Sequence, residues 1–218
     1  LAFGLSRRTS MCSAISSHIL SLLYNQYYFI FAILPILLFF CGSVMEDDPI
    51  IFVLRYGSYK HYFTSKWRSL GVLCSGLWLG QITILFVTGA GLSVIKQGWD
   101  NFSGSSLLKE IAPLLVKSFP GAWVAVFCAA VYMLMGYWLI ALLTLWLGHF
   151  LQRQKAIKVL LALYILTILS IKLPIMSRPP FCYLTGINHW VLLLHNLTAG
   201  WRFPLTVIVT LLFVVTVI

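Results

Sequence analysis

Residues 118–152 contain no Asp, Glu, Lys or Arg, and neither do residues 69–95. A helix rises about 1.5 Å per residue, and roughly 20 apolar residues cross the hydrocarbon of a bilayer. Uncharged runs of that length therefore read as membrane spans. The whole chain agrees: 61% of its 218 residues are hydrophobic and 9% are charged, against about 25% charged in soluble domains. A soluble enzyme, a disordered chain and a nucleic-acid reader are all excluded. Fifteen Lys and Arg against five Asp and Glu give a net charge of +10, but the cations are scattered between the apolar runs. That places them in loops beside anionic lipid.

The gaps between charges predict a single all-α transmembrane domain over residues 1–218, of five spans. The first, 27–45, carries Pro35, which a membrane helix tolerates as a kink. The second is 70–95. The third, 119–148, is too long for one upright helix and too short for two with a loop, so it reads as a tilted helix starting near Pro120. The fourth is 157–175, with Lys172 reaching out to the headgroups, and the fifth is 203–218. Residues 179–201 are broken by Pro179, Pro180, Gly186 and Gly200 and read as a pair of short helices that dip into the membrane and return. Residues 1–20, Ser-rich and lacking a signal-peptide core, read as a loop or surface helix.

Chemistry inside the bilayer needs titratable groups there, and these are expensive enough to stand out. All five acids, Glu46, Asp47, Asp48, Asp100 and Glu110, fall outside the spans. The five cysteines are odd in number with no C-x-x-C, which argues for packing over disulfides or zinc. None of the five histidines has a partner four residues away; His189 and His195 are open to ligation or to an ordinary interfacial role. No metal, no cofactor and no catalytic residue is expected in this chain. Gln81 and Thr83 are a polar pair at mid-depth of the second span, read either as an interhelical hydrogen bond or as a substrate contact. Gly76 and Gly80 form a G-x-x-x-G that predicts close approach of another helix.

Residues 46–68 are the most informative segment. Asp48 followed by Pro49 starts a helix, since a carboxylate accepts free N–H groups and proline needs none at the first position. Gly57 suits the residue after a helix end. The result is a short helix, 49–56, apolar at Phe52 and Tyr56 and charged only at Arg55. Ser58 can cap a second helix, decorated by Lys60, His61, Lys66 and Arg68, which lies on the membrane and feeds the second span. Such an elbow is either an interfacial loop with aromatic anchors or a docking element.

Glu46, Pro49, Arg55, Ser58, Lys60 and Lys66 give this elbow a loose resemblance to the permeases of type 2 ABC exporters. In place of that family's Gly-Thr after the acidic start stands Asp48-Pro49. The resemblance implies that 49–56 is a coupling helix, with Pro49, Phe52, Arg55, Tyr56, Ser58 and Lys60 meeting an ABC ATPase that carries ATP and Mg. It also implies a homodimer or a heterodimer with a second permease, surrounding lipids, and a cell membrane, bacterial by the family. Span order is similar from the family's second span onward, so one more helix is expected before Leu1 or replaced by a surface helix in 1–20.

The resemblance puts the elbow and the loop 152–158 in the cytoplasm and the re-entrant helices of 179–201 outside, and it makes the expected count five to six spans. Charge does not decide this: Arg55, Lys60, Lys66, Arg68, Arg153, Lys155 and Lys158 face the other eight cations on the opposite side, so the positive-inside rule is silent. No G-x-x-x-x-G-K-S/T loop is present, so hydrolysis belongs to a separate subunit and the chain is not itself an enzyme. The aromatic-rich spans favour an amphipathic cargo such as a peptide or lipid. The alternative is a structural or immunity subunit of a larger membrane assembly without an ATPase.

Overall fold

A computed structural model describes residues 15–44, 57–91, 106–173 and 191–192, and within them every regular element is helical. We name the helices α1 (Ile15–Leu23), α2 (Gln26–Val44), α3 (Tyr59–Gly89), α4 (Ser106–Ser118), α5 (Ala122–Phe150) and α6 (Arg153–Lys172). Three of them, α2, α3 over Lys60–Gly89, and α5, are long and apolar enough to cross a membrane. The described residues are thus all-helical, and by length and composition their three spanning helices are those of a multi-pass membrane protein. Helix α6 forms where the fourth span is expected, and the fifth span, 203–218, lies outside the described residues.

Helix α5 is the centre of the bundle. Its buried face includes Ala122, Ala125, Ala129, Ala130, Gly136 and Ala141, small side chains that let neighbouring helices approach closely. Helix α2 turns Ile30, Ile33, Leu34, Leu37 and Cys41 inward, an i, i+3, i+4, i+7, i+11 stripe. Phe31 and Phe39 stand outward at 58% and 71% exposed. Helix α3 does the same, with Leu70, Cys74, Gln81 and Leu85 inward and Val72, Leu79, Ile84 and Val87 outward. Outer faces this apolar have lipid, not water, as their solvent.

Helix α2 contains one irregularity with a clear cause. Pro35 has no N–H, and its ring would strike the carbonyl one turn back. Immediately upstream, Phe29–Ile33 widens to a π-helix, and the Leu34 N–H reaches back to the Phe29 carbonyl. The expected proline kink is thus absorbed as a widened turn.

Two expectations are corrected. Residues 15–23 are neither a loop nor a surface helix: Ile19 and Leu20 are fully buried and Ser16 and Ser17 nearly so, with α1 packed against α3 and α5. Reading the serines as polar missed that small hydroxyl side chains fit helix interfaces; Ser21 Oγ, for example, donates to the His18 carbonyl at 2.7 Å. The second span, expected over 70–95, ends earlier: α3 stops at Gly89, followed by a turn in which Gly91 takes φ +94°. That left-handed conformation stops the helix.

The α1–α3 contact is tight. A Cβ on Gly89 would lie 2.8 Å from Ile15 Cγ1, and His18 Nε2 meets Thr88 Oγ1 at 3.3 Å nearby. Gly89→Val is therefore expected to destabilise the protein by about 1–3 kcal/mol through overpacking. Thermal unfolding in detergent checks this, with Gly71→Val, whose Cβ meets nothing within 4 Å, as the neutral comparison.

Candidate functional site

The candidate site is the end of the bundle where the elbow joins it. Ser58 is extended (φ −157°, ψ 148°), and its Oγ accepts the His61 N–H at 3.2 Å, so it caps α3 as the sequence predicts. Gly57 has φ +72°, the left-handed conformation expected just after a helix end. Residues 49–56, where the sequence predicts a short helix bearing Pro49, Phe52, Arg55 and Tyr56, lie outside the described residues. Lys60 is exposed on the first turn of α3, and one turn further Lys66 sits 5.8 Å from the centre of the Tyr62 ring.

Helix α3 differs from the expected elbow in one respect. It is continuous over 31 residues, about 46 Å at 1.5 Å per residue, against about 30 Å of hydrocarbon. The segment 59–69 therefore continues the span beyond the hydrocarbon and does not form a separate helix lying on the surface. A continuous shaft joins the elbow to the bundle core.

That shaft is bonded to α5 along its length. The two helices are antiparallel: Trp67 meets Trp138 edge-on at 6.1 Å, Trp138 Nε1 donates to Ser75 Oγ at 3.3 Å, Trp78 Nε1 donates to the Ala130 carbonyl at 2.8 Å, and Phe86 stacks on Trp123 at 6.3 Å. In the middle the Tyr137 hydroxyl donates to Gln81 Oε1 at 2.5 Å. Gln81 thus makes an interhelical hydrogen bond, one of the two roles open to it. Thr83 does not join it, bonding the Leu79 carbonyl of its own helix at 2.8 Å. Two buried polar atoms among the described residues have no partner, Gln81 Nε2 and Tyr24 Oη. Tyr24 stands at the break between α1 and α2, where Asn25 Oδ1 accepts the N–H groups of Tyr27 and Tyr28, and burial raises its phenol above the ordinary range.

Gly76 and Gly80 do not take part in this seam. A Cβ on either would meet nothing within 4 Å, so no described helix of this chain uses the G-x-x-x-G. The contact face of α3 is the one bearing Cys74, Ser75, Trp78 and Gln81 instead.

The antiparallel pairing fixes which termini lie together. Phe150, at the end of α5, lies at the same end as Tyr59, and the two-residue turn Leu151–Gln152 starts α6 there. The end of α2 is there too, because Gly42 and Ser43 share a groove with Arg153. The elbow and the loop 152–158 therefore flank one end of the bundle, as their sequence order requires. Lys60, Lys66, Arg68, Arg153, Lys155 and Lys158 gather at this end, while Glu110 in α4 is the only acid among the described residues. Among the described residues no group of His, Cys, Asp and Glu is arranged to hold a metal ion. Cys41 and Cys74 are buried free thiols. Of the broken stretch 179–201 only Val191 and Leu192 are described, both buried in the main core. The chain matches no protein-family model, no curated protein and no solved structure.

Proposed function

We propose that the chain is the permease subunit of an ATP-driven ABC exporter that moves an amphipathic cargo, such as a peptide or lipid, across the cell membrane. ATP and Mg sit on a separate ATPase subunit, which docks on the elbow through Pro49, Phe52, Arg55, Tyr56, Ser58 and Lys60. The observation that carries this reading is the junction at 57–58. A left-handed glycine and a capping serine join the elbow to a helix that runs unbroken into the span. Movement imposed on the elbow is transmitted along α3 and, through the Trp78–Ala130 and Tyr137–Gln81 bonds, to α5. Two such chains, identical or related, enclose the pathway, and the open face of α3 at Gly76 and Gly80 is where the second chain's helix approaches.

The reading requires the elbow end to be cytoplasmic. Single cysteines at Ser58 and Gln154, in a background without native thiols, should resist an impermeant maleimide in whole cells. A cysteine at Ser118, at the far end of the bundle, should react. Labelling of position 58 from outside overturns the docking assignment.

A further inference from the structure

Between α2 and α6 runs a cavity of about 580 Å³, open along one side. Pro35, Leu38, Phe39, Ile157, Leu161 and Tyr164 form its walls, and Gly42, Ser43 and Arg153 lie at one end. From Arg153 to Tyr164 the groove follows α6 for about 16 Å, close to half of a hydrocarbon layer about 30 Å thick. Its length is that of one leaflet.

We propose that this groove binds a single anionic phospholipid, with an acyl chain along the apolar walls and the phosphate at Arg153. Two features of the polar end point to an anion. Arg153 is half-buried there, with Lys155 and Lys158 exposed on the same turns of α6. Residues 153–155 open α6, and Gln152 supplies no side-chain cap, so the first N–H groups and the positive end of the helix dipole face the same place. Ser43 lies on the opposite wall, its hydroxyl donating to the Phe40 carbonyl at 2.8 Å; its oxygen is left as an acceptor, able to take a hydrogen bond from a headgroup hydroxyl. The site depends on the membrane location of the chain and not on the transport reading.

Gly42 makes the site testable. A Cβ there meets nothing within 4 Å, so a side chain at 42 starts in open space at the groove, and Gly42→Trp is expected to fill it. The purified full chain is incubated with equal amounts of phosphatidylglycerol and phosphatidylcholine, and bound lipid is counted by native mass spectrometry. Wild type should retain phosphatidylglycerol about fivefold over phosphatidylcholine, the scale of one basic side chain at a lipid surface. Arg153→Gln should bring the ratio to near one while lipid is still bound. Gly42→Trp, or the milder Gly42→Leu, should lower retention of both lipids. Phe127→Trp, on an exposed face of α5, should change neither. Equal retention of the two lipids by wild type, or retention unchanged by both groove variants, overturns the proposal. A change of oligomeric state in Gly42→Trp with lipid retention unaltered also overturns it, in favour of a second copy in the groove.

Discussion

Tyr137→Ala should destabilise the bundle by about 3 kcal/mol or more, the largest single loss expected from the described core. Tyr137 is fully buried and makes three contacts with two other helices. Its ring stacks on Phe29 of α2 at 6.4 Å, its hydroxyl bonds Gln81 of α3, and its carbonyl lies 3.9 Å from Cys74 Sγ. In a bilayer the transfer part of a large-to-small substitution shrinks, because lipid is as apolar as leucine. The cavity and the lost packing contacts remain, and for Phe-sized side chains they set the scale at about 3–5 kcal/mol in water-soluble cores. Tyr137→Phe separates the ring from the hydroxyl. It leaves the Gln81 amide buried with neither end bonded, since Gln81 Nε2 already has no partner, for a cost of about 1 kcal/mol. The double variant Tyr137→Phe with Gln81→Leu removes both polar partners and should recover most of that loss. Unfolding in mixed detergent micelles measures all three. Equal losses for Tyr137→Phe and Tyr137→Ala would show that the ring contributes nothing.

The second large effect concerns the elbow. Arg55 is the only charge in residues 49–56, and a guanidinium on an otherwise apolar helix tip suits a cleft that offers carboxylates or carbonyls to its planar fork. Arg55→Glu sets like charge against that cleft, and Phe52→Asp leaves an unpaired charge in an apolar contact. Each should weaken ATPase binding by about 2–5 kcal/mol, at least about 30-fold, while expression and insertion stay unchanged because both positions lie outside the spans. Hydrolysis should then run uncoupled from transport.

The positions of the spans are legible in the sequence because charge is so costly in hydrocarbon that its absence marks them. The third span, expected over 119–148, forms as Ala122–Phe150, and the first, expected over 27–45, as Gln26–Val44. The Ser58 cap and the Gly57 turn are equally legible, because both depend on local backbone geometry. Which face of a helix meets its neighbour is not local. Gly76 and Gly80 have the spacing of an interface and stand in the open. Ser16 and Ser17 have the composition of a surface and are buried. In a bilayer both faces of a helix are apolar, so hydrophobic periodicity no longer tells inside from outside. The bond from Tyr137 to Gln81 spans 56 positions and depends on the register of α3 against α5, which no window of sequence contains. Residues 59–69 are a similar case: their aromatic and basic pattern fits a helix on a membrane surface and fits equally the projecting end of a long span.

The most direct measurement for the proposed function is affinity purification of the full chain from its native membrane in mild detergent, with the retained proteins identified and assayed for ATP hydrolysis. The account predicts a nucleotide-binding subunit in near-stoichiometric amount, lost from Arg55→Glu and Phe52→Asp and retained by the Lys117→Glu control at the opposite end. Purification without any ATP-hydrolysing partner, or an ATPase that stays bound to both elbow variants, would contradict it. The elbow would then be a membrane-surface loop, and the chain a subunit of an assembly that no ATPase drives.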